Sequence, residues 1–321
     1  MIGRRELATL GAALAPLPLH AQGYPARAIR MIVGFPAGDA VDVTARILAD
    51  ALQKPLGQRV VVENVSGANG VIALDRLTQA EPDGYTLSFI TVATLVALHF
   101  QNRPLDARRM FTPVACVNES ALVLVVNPKL VPVTSFTELL GYLRAHPGTS
   151  YTGAAGIGSQ GQLFMESLAH RLGLTLDFVP YRDAAAAMSS VVGGRIGVMI
   201  ADMTTAPPQV AAGAIVPLVV SAGDRVASFP DVPSIAEVGL GGYATRVLGG
   251  IIAPPRLPTD LNLRLTRGVQ AALDEPAVQQ RLRAAGYEAH YLGPVAFLER
   301  LVAAHRHWGE VIAQTGIRAP S

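Results

Sequence analysis

The chain has 321 residues, with 26 Lys and Arg against 24 Asp and Glu, and one cysteine, Cys116. Half of the residues are hydrophobic and only 16% are charged, so a sizeable core is available and disorder is excluded as the dominant state. A formal charge of +2 offers no electrostatic basis for nucleic-acid binding, and one cysteine excludes an internal disulfide framework or a cysteine-rich metal site. The length fits two domains of about 130–150 residues each.

Residues 1–21 read as a secretory signal: the basic pair Arg4-Arg5, an apolar run over 7–19, and Ala21 before Gln22. The apolar run is too short to span a bilayer, and Pro16 and Pro18 break it. Cleavage after Ala21 removes Arg4, Arg5 and Glu6 and leaves 24 basic against 23 acidic residues. Arg4-Arg5 alone does not choose between the general and the twin-arginine export routes. No later run reaches the roughly 18 apolar residues of a membrane span. The expected location is the periplasm.

The mature chain alternates short β-rich runs with amphipathic segments. Strands are expected at 29–35, 59–63 and 86–90, with helices over 41–56 and 70–80 between them. The same alternation restarts after 147: strands at 149–153, 177–179, 197–200 and 215–221, and helices over 160–172 and 184–192. Such β-α-β order argues for doubly wound parallel sheets. Strands at 122–126 and 249–253 lie between the blocks and are read as crossing strands. After Pro258 the pattern is helical throughout, over 259–273, 276–285 and 295–315. Three helices without strands of their own must return to the first sheet. The expected lobes are 22–122 plus 253–321, and 123–252. The two blocks share this order but no residue-level repeat.

Open α/β sheets bind ligands at the C-terminal ends of their strands, here in a cleft between two lobes. Four polar loops follow such ends. The first runs from Phe35 through Ala37, Gly38 and Asp39 to Asp42. The second holds Asn64 and Ser66. The third is Thr91 to Thr94, and the fourth runs through Ala155, Gly158 and Ser159. Tyr181, Asp183 and Asp202, which follow later strands, complete the candidate site. A helix start offers unsatisfied N–H groups and a positive dipole end, which suits an anion. Each loop taken singly reads as a plain turn with a helix cap; four together, at strand ends in two lobes, point to a site.

Gly156-x-Gly158-x-x-Gly161 matches the dinucleotide fingerprint and keeps a dinucleotide-dependent oxidoreductase as an alternative. The expected acid at the end of the next strand is missing, because Asp177 begins that strand. Neither a nucleophile elbow nor a histidine–carboxylate pair is present, so no catalytic residue, cofactor or metal is expected. His305-x-His307 reads as an exposed helix feature, and Trp308 as a core anchor.

The chain resembles the extracytoplasmic solute receptors of tripartite tricarboxylate transporters, the Bug receptors. The resemblance rests on Tyr24-Pro25, Val61-Val62-Glu63-Asn64 with Gly67, Pro82-Asp83-Gly84-Tyr85, Val126-Asn127-Pro128, Val179-Pro180-Tyr181, Pro230-Asp231-Val232-Pro233 and Trp308-Gly309, in order along the whole mature chain. It implies a class II periplasmic-binding-protein fold without catalysis. It also implies capture of a small organic acid, held by backbone donors of the first and fourth loops, and delivery of that acid to membrane transporter subunits. A ligand-presenting sensor component is the other role the same surface serves. A monomer is expected. The chain departs from the family pattern at Gly38-Asp39 and Arg182-Asp183, where a glycine is usual in place of each acid, and at Gln162, where a histidine is common. Two acids facing the cleft favour a monocarboxylate with an amino or amide group over a dianion.

Overall fold

The computed structural model describes residues 23–153 and 156–317. The signal reading at 1–21 and the candidate Ala155 lie outside the described residues.

The chain begins with β1 (Ile29–Val33), α1 (Ala40–Leu56), β2 (Val60–Asn64), α2 (Val71–Thr78), β3 (Thr86–Thr91), α3 (Val92–Phe100), α4 (Ala107–Met110) and β4 (Thr112–Ser120). It continues with β5 (Leu122–Val126), α5 (Phe136–Ala145), β6 (Thr149–Gly153), α6 (Gln160–Leu172), β7 (Leu176–Phe178), α7 (Ala184–Val192), β8 (Val198–Asp202), α8 (Ala206–Ala211) and β9 (Val216–Val220). The last part is β10 (Val247–Ala253), α9 (Thr259–Leu273), α10 (Pro276–Ala284), β11 (Glu288–Leu292) and α11 (Pro294–Thr315).

Two sheets result, ordered β11-β4-β10-β3-β1-β2 and β7-β6-β8-β5-β9. Their plans match. In each, a parallel trio (β2, β1, β3 or β7, β6, β8) is followed by an antiparallel strand that arrives from the other sheet, β10 or β5. The strands read as crossing strands thus stand immediately after each crossing. The outward crossing is a single residue, Ala121, between β4 and β5. The return falls between β9 and β10. It comes before the boundary expected at 252/253, because Val247–Ala253 pairs with β3 and β4 inside the first sheet.

Three further expectations are corrected. The stretch after Pro258 is not wholly helical: β11 lies between α10 and α11 and pairs with β4. Its pattern hides it, since its residues are only partly buried or exposed. The third loop, Thr91 to Thr94, is the first turn of α3, whose residues are apolar on nearly every face and so show no helical period. His305 is half-buried and stacks on His99 with ring centroids 3.9 Å apart, so the His305-x-His307 pair is no simple exposed feature.

Burial explains these layers. On one face of the first sheet, Ala45, Leu48 and Leu52 of α1 and Leu265 and Val269 of α9 pack on Met31, Val33, Leu87 and Phe89. On the other face, Leu74 of α2, Leu95 of α3 and Phe297 and Trp308 of α11 form a cluster that runs on without a break into Leu124, Phe164 and Ile200 of the second lobe. Trp308, 1% exposed, anchors this shared seam. At the crossings, the buried Ser221 hydroxyl accepts from Leu122 N at 3.0 Å and donates to Thr245 O at 2.9 Å, tying the outward and return passages together. No helix among the described residues is long and apolar enough to cross a membrane.

Candidate functional site

Three loops converge at the strand tips of the first lobe. Gly34, which follows β1, lies so close to Gly70 that a Cβ on Gly34 would come within 2.5 Å of the Gly70 Cα. A Cβ on Gly70 would in turn meet Thr94 Oγ1 at 2.6 Å and the Phe35 ring at 3.5 Å. The second loop reaches this position through an unusual backbone: Ala68 and Asn69 both have positive φ, 48° and 51°. Left-handed non-glycine residues are costly and persist where the surroundings fix them. Ser66 is exposed on this loop.

The first loop is locked from within. Asp42 is 1% exposed. Its carboxylate accepts from Gly38 N at 2.9 Å, Arg46 Nε at 2.9 Å and Asn64 Nδ2 at 2.8 Å. Asn64 also donates to Phe35 O at 3.0 Å. Burial works to raise the Asp42 carboxyl, but the bonds from Arg46, Gly38 and Asn64 outweigh it and hold the group below its ordinary value. Asp42 and Asn64 therefore shape the loop, and their bonding capacity is largely spent. Asp39 caps α1 by accepting from Val41 N at 2.8 Å.

The fourth loop repeats this design. Gly38 and Gly158 both have positive φ, 84° and 79°. The residue after each caps the helix, Asp39 on α1 and Ser159 on α6. The N–H of that cap bonds back three residues at 3.2 Å, to Pro36 O and Gly156 O respectively. The side chain three residues after the cap accepts from the glycine N–H: Asp42 from Gly38, and Gln162 from Gly158 at 2.8 Å. The repeat invisible between the two sequence blocks is thus present at their helix starts. Asp39-x-x-Asp42 and Ser159-x-x-Gln162 are variants of one capping box. The lobes meet here: a Cβ on Gly158 would lie 2.7 Å from the ring of Phe100, at the end of α3.

The remaining candidates divide. Thr91 stands at the N-cap position of α3 without capping it, and its buried Oγ1 has no partner. The Tyr181 hydroxyl is hydrogen-bonded to Ser190 on α7, within the second lobe. Asp183 caps α7 through Ala186 N at 2.8 Å and pairs with Arg182 at 2.8 Å. The bond from Ala186, aided by Arg182, holds its carboxyl low. At the end of β8, Asp202 Oδ1 accepts from the backbone N–H and hydroxyl of both Thr204 and Thr205.

Asp39 and Asp202 share one neighbourhood with Tyr287, which precedes β11. Although Asp39 is exposed, desolvation by its surroundings pushes its carboxyl up against the bond from Val41 N, and the charges of Asp42 and Asp202 add to the effect. Burial raises the Tyr287 hydroxyl, helped by Asp202 and Asp39. A cavity of about 200 Å³ lies at the crossings, lined by Ser120, Ala121, Met203, Arg246, Gly286 and Tyr287, and the four loops do not contribute to it. Phe100 and Tyr287 were not anticipated from the sequence, and Gln162 was noted there only as a departure from the family pattern. Its role as the acceptor of the Gly158 N–H was readable from the Ser-x-x-Gln spacing.

The dinucleotide reading fares poorly: Asp177 sits exposed in the middle of β7, and no acid ends that strand.

Two sheets of one plan, two crossings and a capped helix start at the tips of each lobe define a two-lobed solute-binding protein. The chain belongs to the tripartite tricarboxylate transporter family receptors, TctC, whose family model matches residues 44–317. It is 32% identical to the protein BugT of Bordetella pertussis over 98% of both chains. It resembles MatC from Rhodopseudomonas palustris, solved with bound malate, at TM-score 0.76 and 28% identity over 90% of this chain and 100% of that one. R. palustris Rpa4515, solved with adipate, is similar at TM-score 0.76 and 29% identity over 92% of this chain and 99% of that one.

Proposed function

We propose that this chain is a periplasmic receptor. It captures a small organic acid between its lobes and delivers it to membrane subunits of a tripartite tricarboxylate-type transporter. Carboxylates bearing an amino or amide group are within its range, and binding proceeds without turnover. The observation that carries this reading is the matched pair of helix starts, α1 and α6, one at the strand tips of each lobe. Helix N-termini stabilise anions without a buried arginine. Family membership and the malate and adipate of two similar structures support the ligand class. The contact between Phe100 and Gly158 supports closure of one lobe on the other.

The test is a thermal-shift screen of organic acids on the exported protein. An acid present at a hundred times its dissociation constant stabilises by about 2.7 kcal/mol. No stabilisation by any acid, or consumption of one, would overturn the reading. Mass spectrometry of periplasmic material is expected to find Gln22 at the N-terminus, and an intact Met1 on cytosolic protein would refute export.

A further inference from the structure

The two matched helix starts differ in charge. At α6 the cap Ser159 and the glycine's acceptor Gln162 are both neutral. Gln160, the first residue of α6, is 7% exposed and buries its Nε2 donor without a partner. An orphaned buried donor is costly until an acceptor arrives. At α1 the corresponding residues are Asp39 and Asp42. Arg46 compensates Asp42 at 2.9 Å. No ion pair among the described residues reaches Asp39 or Asp202, and Arg182 is taken by Asp183. Asp39 accepts the Val41 N–H, and Asp42 accepts the Gly38 N–H, so two donors of the α1 start are already consumed by anions.

From this asymmetry we infer that the ligand is bipolar: its carboxylate docks at the start of α6 against Gln160, and a cationic or hydrogen-donating end lies at Asp39, the cap of α1. The inference rests on the carboxylate-capture reading above and makes Asp39 the residue that sets specificity. A second carboxylate at that end would meet the negative charge of Asp39, which no ion pair among the described residues offsets, and like charges repel.

The experiment is calorimetric titration of the mature receptor with length-matched probes: succinate and glutarate, 4-aminobutanoate and 5-aminopentanoate, succinamate and glutaramate. The amino or amide acids are expected to bind about tenfold tighter than the dicarboxylate of equal length. Asp39→Asn should remove most of that preference while leaving Tm in place, since Asn caps a helix as well as Asp. Gln160→Leu should weaken every probe without changing their order. Dicarboxylates that bind as tightly as their amino counterparts, with the ratio unmoved in Asp39→Asn, would overturn the polarity and leave carboxylate capture standing. Failure of every probe, together with a blank screen of wider organic acids, would overturn both.

Discussion

Phe100 rests on Gly158: the last residue of α3 in the first lobe fills the space where a side chain at the α6 turn would stand, and a Cβ there would approach its ring to 2.7 Å. Gly158 also holds φ at 79°, a region that favours glycine. Gly158→Ala is therefore expected to cost about 1–3 kcal/mol of stability and to weaken ligand binding. Adding Phe100→Ala should recover part of the affinity by relieving the clash, but not the backbone strain. Chemical denaturation and ligand titration of the single and double variants check this. Equal stability of Gly158→Ala and wild type would contradict it.

Asp42 gives an acid-side dependence. Its folded-state carboxyl is held below the ordinary value, so its contribution is present above the unfolded value near 4 and is lost as pH falls through the folded one. Asp42→Ala is expected to destabilise by about 2–3 kcal/mol at neutral pH, through loss of the bonds from Gly38, Arg46 and Asn64. The difference from wild type should shrink below pH 4. Parallel unfolding curves across pH 3–7 measure it, and a constant gap would refute the assignment.

His305 acts over a different window. Burial, with the charge of His99, pushes its imidazole down to about 4. The unfolded chain binds that proton near 6.5. Stability from the neutral ring is complete above about pH 6.5 and declines toward pH 4, by at most about 1.4 kcal/mol per pH unit. His305→Phe keeps a ring against His99 and should flatten Tm between pH 7 and 4.5. An unchanged slope would show that other groups govern it.

Ser159 serves the α6 start as its cap, accepting from Gln162 N at 3.3 Å. Ser159→Ala should cost about 1 kcal/mol of stability. A role in holding the ligand adds a loss of affinity that a cap alone does not produce. The two are separated by measuring Tm and Kd on one preparation. Affinity that stays at the wild-type value would confine Ser159 to capping.

The order of strands and helices was largely legible, because runs such as Leu122–Val126 are apolar throughout and α1 has one clear apolar face. What escaped had physical reasons. The helix α3 is buried on nearly all sides, so its sequence carries no period. The strand β11 sits at the sheet edge, half-exposed, and offers no apolar run. At the candidate site, the Gly-rich loops could be located but not the use of their donors. That Asp42 would be consumed by Gly38, Arg46 and Asn64 depends on contacts between separate loops. Asp39 and Asp202 stand far apart in sequence, and folding alone brings their charges into one neighbourhood.

The one-residue link at Ala121 has a mechanical consequence. A strand on either side fixes its neighbours in different sheets, so on the outward passage any rotation between lobes must be absorbed by the few torsions around that residue. The return passage is longer, yet Ser221 pins its start to Leu122 and its end, at Thr245, to the same hydroxyl. Both passages are therefore short or tied at their ends, so the two lobes are coupled at the crossings through Ala121 and the Ser221 hydroxyl.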